Sequence, residues 1–131
     1  MSTVSTFNGL LKEFLVFLKQ TFPNYTKDVD TTIEWLDELE AINKNKIVEM
    51  FMNTTINYTD QILTKQDVFF QNTRDMLSDN IDMYVLWNSV TDQDTKMYIW
   101  MYIQQLFFMG STIIDIDPQL KQIIENFSKN C

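Results

Sequence analysis

The sequence predicts an all-α fold, an irregular bundle of five to seven helices around a hydrophobic central helix near residues 92–113. Three observations carry that reading. Apolar residues recur at spacings of three and four along most of the chain, which is the period of an amphipathic helix. Only two glycines and two prolines interrupt it, too few breakers to divide the chain into short strands and turns. No segment joins β-branched enrichment to two-residue alternation and hairpin turn signals, the combination that a sheet requires. At 131 residues, one domain over residues 1–131 can bury a core without disulfides or a structural metal.

Phe7, Leu10, Leu11, Phe14, Phe17 and Leu18 share one face of a first helix predicted from Thr6 to Phe22. Leu15 and Val16 broaden that face until Phe14-Leu15-Val16-Phe17-Leu18 nearly encircles the helix. A terminal helix tends to lie at the edge of a bundle, so Leu15 and Val16 are expected to meet a partner surface. Pro23 ends this helix, because the residue before a proline is pushed out of the helical region. A second helix is expected from Asp28 to Ile42, with Val29, Ile33, Leu36, Leu39 and Ile42 inward and acids in its early turns, where a helix N-terminus favours negative charge.

After the polar break Asn43-Lys44-Asn45-Lys46, the residues Val48, Phe51, Met52 and Ile56 mark a third helix from Ile47 to Tyr58. The pattern weakens between Thr59 and Ser78, where Ile62-Leu63 and Val68-Phe69-Phe70 suggest one or two short helices. Asp82 to Val90 reads as a short helix with Val85, Leu86 and Trp87 inward, and Thr91 followed by Asp94 resembles a capping box for the next one.

That next helix, from about Asp92 to Ile113, holds the stretch Met97 to Ile114, which contains no charged residue. Its length is at the lower limit for a membrane span. Gln104 and Gln105 stand in its centre, Gly110-Ser111-Thr112 weakens its end and no cationic loop flanks it, so it reads as a soluble helix buried by its neighbours. Trp100, Ile103, Leu106 and Phe107 are its expected core residues, together with Trp87 from the preceding helix. Asp117-Pro118 then supplies a cap and a first-turn proline, and Leu120, Ile123, Ile124 and Phe127 form the apolar face of a last helix.

The charge balance, 10 basic against 18 acidic residues, lacks the footprint of a phosphate-backbone binder, so no nucleic-acid partner is expected. The same acidity argues against binding at an anionic membrane surface. There is no His, and the single Cys is Cys131, which removes Cys/His zinc sites and His-activated nucleophiles. Neither a metal nor another cofactor is expected. The start of the sequence lacks the features of a secretory signal, so the sequons at Asn24, Asn53, Asn57 and Asn126 carry no weight and an intracellular location is expected.

Carboxylate pairs are the remaining candidate chemistry. Asp28/Asp30, Asp92/Asp94 and Asp115/Asp117 each stand at a predicted helix start, where capping explains them better than catalysis does. A calcium loop beginning at Asp28 fails, since Ile33 stands where glycine is needed and Leu39 where a bidentate acid is needed. Trp35, Trp87 and Trp100 with Tyr84, Tyr98 and Tyr102 could form an aromatic platform, but their helical spacing favours core or interface packing.

At Ile81-Asp82-Met83-Tyr84-Val85-Leu86-Trp87 and in the run Thr91 to Leu106, which includes Ile99-Trp100-Met101-Tyr102-Ile103-Gln104-Gln105-Leu106, the chain resembles small helical proteins of nucleocytoplasmic large DNA viruses. In that family a Leu-Trp pair precedes a helix reading approximately Ile-Trp-x-Tyr-Leu-Gln-x-Leu; here Ile103 stands where leucine is commoner. The resemblance covers about a fifth of the chain. It implies a viral protein working in the host-cell cytoplasm and carries over no catalytic residue.

Together these readings predict a noncatalytic helical protein-protein interaction module, a viral accessory or scaffold protein that binds another protein or itself. An antagonist of a host response, built like the viral apoptosis regulators around one hydrophobic helix, is an alternative that death-agonist helices would test. A minor virion component would be found by proteomics of particles. A carboxylate-based enzyme would need acids converging in a buried cleft.

Overall fold

Thr3 starts the first helix by accepting the Thr6 N–H on its side-chain oxygen at 3.1 Å, which satisfies one of the donors a helix N-terminus leaves open. The computed structural model describes residues 3–129, and across them the chain is all-α. The helices are α1 (Val4–Thr21), α2 (Thr26–Ile42), α3 (Lys46–Thr55), α4 (Thr59–Leu63), α5 (Val68–Asn72), α6 (Met83–Ser89), α7 (Gln93–Ile113) and α8 (Pro118–Lys129). Single 3₁₀ turns at Pro23–Tyr25 and Ile56–Tyr58 join α1 to α2 and α3 to α4. Cys131 lies outside the described residues.

The helix α7 is the axis of the bundle, with α1, α3, α4 and α8 against it. Along α1 the order of aromatic partners is reversed: Phe14 stacks on Tyr102 at 5.1 Å between ring centroids, and Phe17 meets Tyr98 at 6.0 Å, so the two helices run antiparallel. α3 comes close at Gly110, where an added Cβ would stand 2.8 Å from Met52 Cγ. On the α4 side, Gln104 donates from Nε2 to the Ile62 carbonyl at 3.1 Å. That bond satisfies both a buried amide and a carbonyl at the end of α4. No helix among the described residues is long and apolar enough to cross a membrane.

α5 and α6 close the other end with an aromatic cluster. Phe70 stacks on Trp87 at 4.2 Å, Trp87 meets Trp100 edge-to-face at 5.8 Å, and Phe69 and Phe70 lie 5.8 and 4.9 Å from Trp100. Trp87, Trp100, Ile103, Leu106 and Phe107 are all buried in one hydrophobic cluster that extends from Phe7 to Ile124.

Leu15 is a correction. It is fully buried, because α1 is not an edge helix: α7 covers one side and α2 and α3 cover another. Val16 remains at the surface, 36% exposed. Ile42, at the last turn of α2, Val85 on α6, and Ile123 and Phe127 on α8 are also exposed rather than inward. Val85 and Ile123 each adjoin a buried residue, Leu86 and Ile124, that takes the inward position of the stripe. The cap of α7 is Asp92, not Thr91: its carboxylate accepts the Thr95 N–H at 2.9 Å and the Thr95 hydroxyl at 2.8 Å. Asp94 falls within the first turn, where it complements the helix dipole.

Candidate functional site

The short link Asn43-Lys44-Asn45 turns α2 back onto α3, but the two helices do not close against each other along their whole length. Between them, and above Leu11 and Leu15 of α1, lies a half-open cleft of about 450 Å³, within the range of known ligand sites. α2 contributes Thr31, Thr32, Trp35 and Leu36, and α3 contributes Ile47, Met50, Phe51 and Thr54. Leu11, Leu15, Leu36, Ile47 and Phe51 are buried and make an apolar floor, whereas Trp35 and Met50 are 43% and 37% exposed on opposite walls.

The third wall is the segment from Asp75 to Asn80. It has no helix, yet it is held at both ends. Arg74 donates from Nε and Nη2 to the Asp82 carboxylate, at 3.0 Å and 2.6 Å to Oδ2, and the Met83 N–H donates to the Arg74 carbonyl at 2.9 Å. Leu77 and Ile81 are buried beneath it, an isolated bridge joins Ser78 to Ile81, and the Asn80 N–H donates to Ser78 Oγ at 3.0 Å. Asp82 also caps α6 by accepting the Tyr84 and Val85 N–H groups. Hydrogen bonding from Arg74, aided by those N–H groups, holds the Asp82 carboxyl below its usual value against the opposing effect of desolvation.

A polar cluster fixes α1 to α2 nearby. Lys12 Nζ lies 2.6 Å from Asp37 Oδ1 and 2.7 Å from Glu40 Oε1, and Asn8 Nδ2 donates to Glu40 Oε2 at 2.8 Å and to the Lys44 carbonyl at 3.2 Å. Desolvation opposes the Lys12 charge, but hydrogen bonds to Asp37 and Glu40 outweigh it and raise the pKa of Lys12. Hydrogen bonds from Lys12 and then Asn8 lower that of Glu40. The cluster anchors the α2 wall of the cleft to α1.

No family model, curated protein or solved structure matches the chain. The site must therefore be read from its own chemistry. Among the described residues, the ionisable groups in its lining are Asp75 and Asp79 alone, and both are exposed. Among the described residues no group of three or more His, Cys, Asp or Glu side chains is placed to hold a metal ion.

Of the residues expected at a partner surface, Leu15 is buried as part of the cleft floor and Val16 is outside its lining. The six aromatics weighed as a platform divide: Trp87 and Trp100 enter the core, Tyr84 and Tyr102 are half-buried, and Trp35 and Tyr98 are exposed. The carboxylate pairs act locally. Asp92 and Asp117 accept N–H groups at the starts of α7 and α8, Asp30 pairs with Lys19, and Asp28 stands in the first turn of α2. Sequence reasoning missed Trp35, Met50, Asp75 and Asp79 as one site. A signal exists for the first two: each borders an apolar stripe, beside Leu36 and Phe51 respectively, at a position where a helix surface is normally polar.

Proposed function

We propose that this chain is a noncatalytic helical interaction module and that it receives a segment of another protein in the cleft between α2 and α3. The observation that carries the reading is Trp35, a large apolar side chain left 43% exposed beside a formed cavity. Partly exposed Trp and Met side chains around an apolar floor provide the anchors that dominate protein recognition. The walls are preformed by the Arg74–Asp82 pair and the Lys12 cluster, so docking does not have to order them first.

The viral accessory or scaffold role in host cytoplasm belongs to the same proposal and rests on the resemblance around Leu86-Trp87 and Trp100 to Leu106. These residues, apart from Met101, Tyr102 and Gln105, are buried, so what the resemblance describes is chiefly a packing requirement of the core. Self-association is a second reading, favoured by Ile123 and Phe127, which stand one turn apart on α8 and are 49% and 39% exposed.

The test is co-purification from cells that produce the tagged chain, comparing the parent with Trp35→Glu, Met50→Glu and, as controls, Met97→Glu and Ile123→Glu. The reading requires a partner protein that is retained with both controls and lost with both cleft variants. Equal recovery with all four variants would refute it, and loss with Ile123→Glu alone would transfer the interaction to α8.

A further inference from the structure

We infer that the segment filling the cleft is cationic as well as apolar: a short stretch of a partner protein in which apolar anchors are flanked by Lys or Arg. The inference rests on the reading of the cleft as a docking site and adds the chemistry of its occupant. The apolar part follows from the floor beneath Trp35 and Met50, which offers little to a polar ligand. The cationic part follows from the third wall. Among the described residues, Asp75 and Asp79 are the only ionisable groups lining the cleft, and no ion pair joins either one.

Arg74, the adjacent cation, is engaged by Asp82 and lies 5.2 Å from the Tyr84 ring centroid, so its guanidinium is already paired with another carboxylate. The same pair fixes the base of the wall. Carboxylates carried on a fixed wall are preorganised for an incoming cation. The net charge of −8 adds a long-range field that attracts basic segments and repels acidic ones. A second copy of this chain is disfavoured as the occupant for that reason, since it would bring another eight negative charges to an acidic rim.

The experiment selects an unbiased random peptide library, displayed on phage, against the full chain. Selected peptides are then titrated against the parent, Trp35→Glu and the double variant Asp75→Asn/Asp79→Asn, at low and high salt, with far-UV circular dichroism confirming that each variant is folded. Trp35 is exposed enough for its substitution to leave the core intact. The expected result is enrichment of Lys and Arg around apolar anchors, binding lost in Trp35→Glu, and binding about three- to tenfold weaker in the double variant and in high salt.

Peptides that depend on Trp35 but are neutral or acidic, and indifferent to the two Asp substitutions, would overturn the inference while leaving the docking cleft in place. Failure to select any peptide that depends on Trp35 would overturn both. A dimer of the parent chain that Trp35→Glu dissolves would identify a second copy as the occupant and likewise overturn the inference.

Discussion

Replacing Gly110 with alanine should destabilise the fold even though it improves helix propensity. In a helix interior the change from Gly to Ala is worth about 1 kcal/mol in favour of the helix. Gly110, however, is buried on α7 where α3 crosses, and a methyl group there would stand 2.8 Å from Met52 Cγ and against Met52 Sδ. Met52 is 2% exposed, so its side chain would have to shift within the core to make room. Overpacking of this kind costs about 1–3 kcal/mol, which leaves a net loss of up to about 2 kcal/mol.

Gly9 provides the control. It is an exposed residue of α1 with nothing within 4 Å of an added Cβ, so Gly9→Ala should stabilise by about 0.5–1 kcal/mol. Urea unfolding followed by circular dichroism measures both. Met52→Ala should also cost less in the Gly110→Ala background than in the parent, because the smaller side chain makes room for the methyl. If Gly110→Ala is as stabilising as Gly9→Ala, the close approach of α3 to α7 is wrong.

Trp100→Ala should cost about 3–5 kcal/mol, since it opens a cavity among Phe69, Phe70 and Trp87; a urea midpoint close to that of the parent would contradict that packing. Leu15→Glu should prevent folding because its carboxylate would be buried without a partner, whereas Val16→Glu should stay within about 0.5 kcal/mol of the parent. Equal helical signal and equal midpoints for these two would refute the placement of α1. Hydrogen bonds in the folded chain lower the pKa values of Glu40, Asp82 and Asp92. A lowered folded value contributes stability above the unfolded pKa and loses it as pH falls through the folded one. The urea midpoint should therefore decline below about pH 4.5, and a midpoint that holds steady down to about pH 3 would show that these bonds contribute nothing.

The helices were legible wherever one period ran long enough to be counted. The spacing from Phe7 to Leu18 and that from Val29 to Leu36 place α1 and α2 within a few residues of their observed ends, and Asp117-Pro118 marks the start of α8. Legibility fails at α4. Its end is a Schellman turn, with the Gln66 N–H donating to the Gln61 carbonyl at 2.8 Å and Lys65 at φ 55°. Glycine is the usual residue there, and a lysine in that position gives no signal. The burial of Leu15 was illegible for another reason: a helix with apolar residues all round shows that it is covered, but not whether its own chain or a partner covers it. The cleft escaped detection because its third wall, Asp75 to Asn80, comes from a segment without periodicity. Contacts between residues several positions apart, among them the pairing of Arg74 with Asp82 and the bridge from Ser78 to Ile81, hold that wall at the cleft.

If the cleft between α2 and α3 is where the protein meets its partner, amide hydrogen exchange of the full chain will locate the contact there. The probe is the tightest basic peptide from the library selection, added in excess. Slowed exchange in Thr31–Leu36, Ile47–Thr54 and Asp75–Asn80, with the Met97–Met101 face and α8 unchanged, is the predicted result. Protection confined to Met97–Met101 or to α8, with the three cleft segments exchanging as in the free chain, would contradict it.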